Sequence, residues 1–310
     1  MNLSNEFPRE SLSAMISSCE RKPILEDITI IIPTLGRPIL ETCLTKIISG
    51  SKWPGGLIVV HQGDYPNVCE WVSQIRSTGI QSLYLHNNLL GKSTSLNMAI
   101  NHTVTRFFAI TDDDCFVDPD WLENMVEQLL NHPNWIITGR VEPAGNETVA
   151  IIQSREPSVQ YHPRIKFDSM AGGNMGTSME VVSKIGLFDE DPVLRYAAED
   201  AEFAYRALKN GVPIAYAPEV AVSHFGWRSE NSNTTRFKTY AYGQGGFFGK
   251  YLKKGDRLVA LRTLYSFIRA FRRWSVNTIK GNKEFAAHGW AYLTGMLPGI
   301  IDSMRSRAEE

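Results

Sequence analysis

Residues 106–122 read Arg106-Phe107-Phe108-Ala109-Ile110-Thr111-Asp112-Asp113-Asp114-Cys115-Phe116-Val117-Asp118-Pro119-Asp120-Trp121-Leu122. The apolar run predicts a buried strand, and three consecutive carboxylates stand at its end. Like charges crowded there repel one another unless a cation sits among them. Oxygen-only ligands select a hard divalent ion, Mn²⁺ or Mg²⁺, which keeps positions open for a phosphate. In an open α/β sheet the carboxyl ends of strands are where ligands bind. Taken alone, the triad also fits a solvated acidic turn capping a helix that begins near Asp118.

Upstream of the triad the pattern alternates. Ile28 to Ile32 is a β-branched run stopped by Pro33, followed by a helix from Pro38 to Ser49 with Gly50 beyond it. Leu57 to Val60 and Leu83 to Leu85 read as further strands, and Pro66 to Ser77 and Ser93 to His102 as helices. A helix over Pro119–Asn131 and a strand over Trp135–Thr138 continue the rhythm. Strands alternating with helices of this length predict βαβ units and a mostly parallel sheet. The pattern loosens over 141–170. A helix from Glu199 to Lys209 and short strands at Ile214–Tyr216 and Val220–Val222 follow.

The 310 residues are 43% hydrophobic, enough for one large α/β core with a smaller helical part. No segment reaches the roughly 18 apolar residues of a membrane span, and Met1 to Asp27 lacks the apolar core of a secretory signal. Cys19, Cys43, Cys69 and Cys115 show no metal or disulfide spacing and predict free thiols in a reducing, cytoplasmic compartment. The net charge of −1 hides an asymmetry: residues 1–227 carry 17 Lys+Arg against 27 Asp+Glu, and residues 228–310 carry 15 against 6. The division expected is an N-terminal extension (1–26), a catalytic domain (27–227) and a basic, aromatic-rich helical region (228–310).

Three further groups bear chemistry. Glu199 and Asp200 open a helix, where acids complement its dipole; beside a metal–diphosphate site, one of them becomes a candidate general base. His224 ends a strand and is either a packed residue or an added ligand to an oxygen-rich metal site. Gly91-Lys92-Ser93-Thr94, with Asn97, begins a helix but lacks the upstream glycine of a P-loop; it reads as a helix N-terminus beside a nucleotide. Ala171-Gly172-Gly173-Asn174 is a turn where backbone approaches something closely.

The order of these elements resembles the family 2 glycosyltransferases with the GT-A fold, over about residues 27–227. The family's P-T/S-x-N-R segment is similar to Pro33-Thr34-Leu35-Gly36-Arg37, and its DxD motif to Asp112-Asp113-Asp114. Its G-x-N-x and G-x-F-D-E segments are similar to Gly172–Met175 and Gly186–Glu190. Its E-D-x-D-L-x-x-R and V-x-H segments are similar to Glu199–Arg206 and Val222–His224. The resemblance implies an α/β, Rossmann-like GT-A fold whose mostly parallel mixed sheet is flanked by helices, with a C-terminal helical extension. It implies an inverting, metal-dependent transfer from a nucleotide-diphosphate sugar, a UDP-sugar first among them, to a carbohydrate or lipid-linked acceptor in polysaccharide or glycolipid assembly. Under it Pro33, Thr34, Arg37, Gln62, Gly91, Lys92, Asn97, Asp112 and Asp113 hold the nucleotide, and Asp113 contacts the ribose. Asp114 binds Mn²⁺ or Mg²⁺ with His224, Gly173 and Asn174 face the sugars, and Asp200 is the base with Glu199 in reserve.

One departure bears on the donor. Where the family's second strand ends in D-D-G-S, this chain has His61-Gln62-Gly63-Asp64. The base is then read by His61 or Gln62, by Asp64 shifted along the turn, or is not uracil. The tail from Phe247 to Arg273 interleaves aromatic and basic residues. It reads either as helices packed on the body or as an anionic membrane contact on the cytoplasmic face; no nucleic-acid motif accompanies it. Trp290 to Ile301 reads as an interfacial segment or a homodimer contact. Two other classes fit parts of the pattern. A haloacid-dehalogenase-type phosphatase would place its aspartates on the first strand, whereas here they follow the fourth. A non-catalytic carbohydrate-binding or scaffolding subunit would not require Asp114 and Asp200.

Overall fold

Ile30 and Ile32 point to one side of the first strand and Ile31 to the other, and all three are fully buried. Successive residues of a strand face opposite sides, so a run apolar at every position needs cover on both. The structure, a computed structural model, describes residues 11–144, 152–195, 197–226 and 233–306. The expected domain boundary at 227/228 and residues 1–10 of the extension lie outside the described residues.

In chain order the first half comprises α1 (Leu12–Ser18), β1 (Ile24–Thr34), α2 (Ile39–Ser49), β2 (Trp53–His61), α3 (Asn67–Arg76), β3 (Gln81–His86), α4 (Lys92–His102) and β4 (Phe107–Thr111). Then follow β5 (Cys115–Val117), α5 (Trp121–Asn131), β6 (Ile136–Pro143), β7 (Ser158–Gln160), β8 (Asn174–Ser178), α6 (Met179–Ile185), α7 (Glu199–Lys209) and β9 (Ile214–His224). The C-terminal part is α8 (Asn233–Lys253), α9 (Arg257–Ile279) and α10 (Lys283–Arg305). Among the described residues the strands form one sheet in the order β3-β2-β1-β4-β8-β6-β9-β5, with β7 on β9. β1, β2, β3, β4, β6 and β9 run one way and β8, β5 and β7 the other, so the sheet is mixed and mostly parallel, as expected.

Ile30, Ile32, Val59 and Ala109 face α2, α3 and α5 through Leu40, Val72, Trp121 and Met125. Ile31, Val60, Phe108 and Ile110 face α4, α6 and α7 through Leu96, Val182 and Phe203. Each large side chain so buried contributes about 1.5–3 kcal/mol.

Strand direction is what assembles the site. β4 ends at Thr111, directly before the triad. β8 runs antiparallel to it and begins opposite the same edge, Asn174 pairing with Thr111. The Gly172-Gly173 turn that precedes β8 is thereby delivered to the triad. β9 runs with β4 and finishes at that edge too, where His224 pairs with Cys115.

The C-terminal helices are anchored to the sheet domain through α7. Tyr205 packs with Phe247, Phe248 and Tyr251 in a third core cluster. Beneath them Glu202, fully buried, accepts hydrogen bonds from Arg206 (2.9 Å), Lys250 (2.9 Å) and the Tyr251 hydroxyl (2.8 Å). Burial alone would raise its pKa, yet these partners hold the Glu202 carboxyl below its ordinary value. Lys250 also pairs with Asp189 of the Gly186–Glu190 segment, so one ion network ties α7, α8 and that segment together.

Candidate active site

Asp113, the middle carboxylate, turns inward and is 2% exposed. It accepts from the Thr34 hydroxyl (2.6 Å) and from Arg37 Nε (3.3 Å), and the other arm of Arg37 pairs with it as well. Burial, reinforced by the neighbouring Asp114, pushes its pKa up against the pull of Arg37. Arg37 also lies 3.5 Å from Asp114. The Pro33–Arg37 segment thus clasps the triad from the end of β1. On the other side, Lys92 at the first turn of α4 reaches Asp112 at 2.6 Å and Glu199 at 3.7 Å. Burial would lower the pKa of this ammonium, but Asp112, Glu199 and Asp200 hold it above its ordinary value.

Glu199 and Asp200 enter from α7. The residue before them, Ala198, has φ 75°, a left-handed conformation that an L-residue adopts at a cost of about 1 kcal/mol or more. That turn starts α7 with its acidic first residues at the cleft. Burial, and then the charge of Asp200, push the Glu199 pKa up to about 7 against the opposing pull of Lys92. The two acid groups meet across the glycine turn. A Cβ on Gly173 would stand 2.6 Å from Asp112 Oδ2, and one on Gly172 would stand 2.9 Å from Asp200 Oδ2. Only a backbone without side chains fits between them, which is the close approach read from the sequence.

These groups line one cleft of about 880 Å³ that holds Lys92, Asp112, Asp114, Gly172, Gly173, Glu199, Asp200 and His224. Ligand atoms of Asp112, Asp114 and Cys115 lie within 4.8 Å of one another. Burial, followed by the charges of Asp112 and Asp114, raises the pKa of the Cys115 thiol, which keeps it protonated and unsuited to a hard cation. His224 Nε2 is 3.9 Å from the Asp114 carboxylate, and its Nδ1 is buried with no hydrogen-bond partner among the described residues. Two carboxylates with a neighbouring imidazole form a donor set that fits Mn²⁺ or Mg²⁺.

Three expected site residues lie behind the cleft. The Gln62 amide donates to the carbonyls of Leu89 and Gly91 (3.0 Å for the latter), fixing the loop before α4. Asn97 donates to Phe188 O (2.8 Å) and Glu190 (2.7 Å) and accepts from Phe188 N. Asn174 accepts from the Trp121 indole (2.8 Å) and donates to Arg140 O and Val220 O, closing the seam between β8, β6 and β9. His61 is buried with Nδ1 3.1 Å from the Tyr84 hydroxyl, while Asp64 is exposed at the turn. The sequence reading passed over the Glu202–Arg206–Lys250 network, whose signal was the acid–base pair four residues apart on α7. It also passed over Arg236 and Arg269, which line the same cleft from α8 and α9.

A mixed sheet with an acidic edge at the ends of β4 and β9, a clasping Pro33–Arg37 segment and a second acid pair opposite defines a glycosyltransferase of the GT-A class. The model of glycosyl transferase family 2 matches residues 29–188, and the chain belongs to that family. Among solved structures it is similar to the mannosyltransferase PcManGT from Pyrobaculum calidifontis, in complex with GDP-Man and Mn²⁺. That likeness has a TM-score of 0.59 and 15% identity over 90% of this chain and 86% of that one. It is also similar to residues 1–349 of S. aureus TarS (TM-score 0.57, 12% identity, 87% and 92% covered). GalNAc-T7 with UDP, GalNAc and Mn²⁺ gives a TM-score of 0.54 at 14% identity, and there the match spans 74% of this chain and about half, 51%, of the other. No curated protein matches this sequence.

Proposed function

We propose that this chain moves a sugar from a nucleotide-diphosphate donor to an acceptor hydroxyl with inversion at the anomeric carbon, in the assembly of a polysaccharide or glycolipid. The observation that carries the reading is the meeting, across the Gly172-Gly173 backbone, of a metal-type carboxylate pair and a second acid pair in one cleft. The Mn²⁺ complexes of the similar structures support it. Asp112, Asp114 and His224 would hold Mn²⁺ or Mg²⁺, which supplies Lewis-acid neutralisation of the departing diphosphate. Thr34 and Arg37 hold the buried Asp113 behind the two cleft-facing carboxylates, and Lys92 stands at the start of α4, where phosphate oxygens are favoured. Asp200 takes the proton as the acceptor oxygen bonds to the anomeric carbon and the bond from that carbon to the diphosphate breaks. Glu199, beside Lys92, is the reserve base.

Calorimetric titration of UDP, GDP, dTDP and CDP, with and without Mn²⁺, tests the donor site. One nucleotide is expected to bind in a metal-dependent way and so to name the base. Failure of all four would favour a non-catalytic, carbohydrate-binding role.

An anionic lipid surface completes the reading. Leu261, Leu264, Ile268 and Phe271 recur at helical spacing and are all more than half exposed. α9 carries the exposed Arg257 and Arg272 beside them and has no acid from Arg257 to Ile279. Each cation near such a surface contributes about 1 kcal/mol. Among the described residues no helix is long and apolar enough to cross a membrane, so this would be contact, not insertion across it. The protein is expected to bind vesicles containing phosphatidylglycerol and not pure phosphatidylcholine, and Leu264→Glu with Phe271→Glu should abolish binding. Equal binding to both vesicles, or burial of this face in a homodimer on sedimentation, would count against it.

A further inference from the structure

Asp112 is called on by two cations. The Lys92 ammonium sits on its Oδ1 at 2.6 Å. Its Oδ2 lies against the glycine turn, where a Cβ on Gly173 would stand 2.6 Å away. The same carboxylate supplies one of the ligand atoms that lie within 4.8 Å of one another at the triad. An ammonium and a divalent ion on one carboxylate repel each other, and an oxygen already accepting from an N–H donor is a poorer ligand. Asp112 therefore serves one of them well or both badly. The fold does not fix the choice, because Lys92 has somewhere else to go. It is the first residue of α4, a quarter (25%) of its side chain is exposed at the cleft, and its four-carbon stem is flexible. Phosphate oxygens are favoured at the start of α4, so a diphosphate seated there meets the ammonium without any movement of the helix. Glu199 Oε1, on the other side of the ammonium, is 3.7 Å away and holds it less closely than Asp112 does.

We propose that Lys92 and the divalent ion compete for Asp112, so that Lys92 withholds the metal site until the donor's diphosphate draws the ammonium away, and metal and nucleotide load together. The proposal rests on the transferase reading, which supplies both the ion and the diphosphate. Such coupling is reciprocal: the factor by which nucleotide strengthens metal binding is the factor by which metal strengthens nucleotide binding.

The test is calorimetric titration of Mn²⁺ into the full chain, first alone and then with UDP, GDP, dTDP or CDP present. Lys92→Met removes the charge and keeps an unbranched stem. It is expected to bind Mn²⁺ alone at least about tenfold more tightly than wild type, and to gain less Mn²⁺ affinity when nucleotide is added. Lys92→Gln should act in the same direction, which keeps the test open if Lys92→Met fails to fold. Lys166→Met removes an exposed cation from the same cleft and should change Mn²⁺ affinity by less than about twofold, because a solvated charge is screened. Asp112→Asn should cost more Mn²⁺ affinity in the Lys92→Met background than in wild type, since there the ion no longer shares that carboxylate. Unchanged or weaker Mn²⁺ binding in both Lys92 variants would overturn the proposal. An equal gain in Lys166→Met would also overturn it, by tracing the effect to the general charge of the cleft. Either result beside metal-dependent nucleotide binding in the wild type would leave the transferase reading standing. Mn²⁺ binding to none of the forms, with or without nucleotide, would defeat both.

Discussion

Asp114→Asn is expected to remove metal-dependent nucleotide binding, with a loss of about 100-fold or more in affinity and a matching loss of transfer. The residue contributes one of the two cleft-facing carboxylates of the triad, with Arg37 at 3.5 Å and His224 at 3.9 Å beside it. Changing an outer-shell partner of a ligand already costs about 10–100-fold in metal affinity, and replacing the anionic ligand itself removes more. The amide keeps the shape, and Thr34 and Arg37 still hold the buried Asp113, so thermal stability should change little. Mn²⁺ and nucleotide titrations on wild type and variant decide the matter. Unchanged Mn²⁺ affinity would take Asp114 out of the metal site, and a collapse of the melting transition would mean that its role is structural.

What could be read without the structure follows the difference between local and non-local information. The stretch from β1 to β4 was legible because each strand is a β-branched apolar run and each helix begins or ends at a Pro or Gly, signals carried by neighbouring residues. β5 was not, since Cys115-Phe116-Val117 is three residues long and becomes a strand only by pairing with β9. β9 read as two short strands because Pro218 and Glu219 interrupt it; the structure carries it through as one, with a register shift opposite Gly139/Arg140. The aromatic and basic tail read as one uniform pattern, yet Phe247, Phe248 and Tyr251 are core while Leu264 and Phe271 lie on the surface. Contacts distant in sequence set that division, among them the Glu202–Lys250 pair, 48 residues apart. For the site, residue type at a strand end or helix start brought Asp112, Asp114, Asp200 and His224 forward as candidates, and the structure places all four in one cleft. It could not separate side chains that face the cleft from amides such as Asn97 and Asn174 that brace its walls, because both kinds sit beside the same glycines and acids.

Asp200→Asn should leave donor and metal binding intact and lower transfer by about 10²–10⁴, the usual worth of a general base and equivalent to about 3–5 kcal/mol of barrier. Asp200 belongs to the first turn of α7 and accepts a hydrogen bond from Ala201 N at 2.7 Å, which an amide oxygen can also accept, so the helix start should survive. Glu199 stands next to it and offers the competing assignment, and the two differ in a readable way. With its pKa near 7, Glu199 would ionise only as pH rises through neutrality. Were it the base, the rate would fall about tenfold for each pH unit below 7, and Glu199→Gln would remove that limb and the activity together. With Asp200 as the base, Glu199→Gln should cost less than Asp200→Asn, acting through the loss of its contact with Lys92, 3.7 Å away. Near-normal turnover in Asp200→Asn, together with a rate limb centred near pH 7, would therefore move the proton transfer to Glu199. It would also recast the left-handed turn at Ala198 as the device that aims Glu199 at the acceptor.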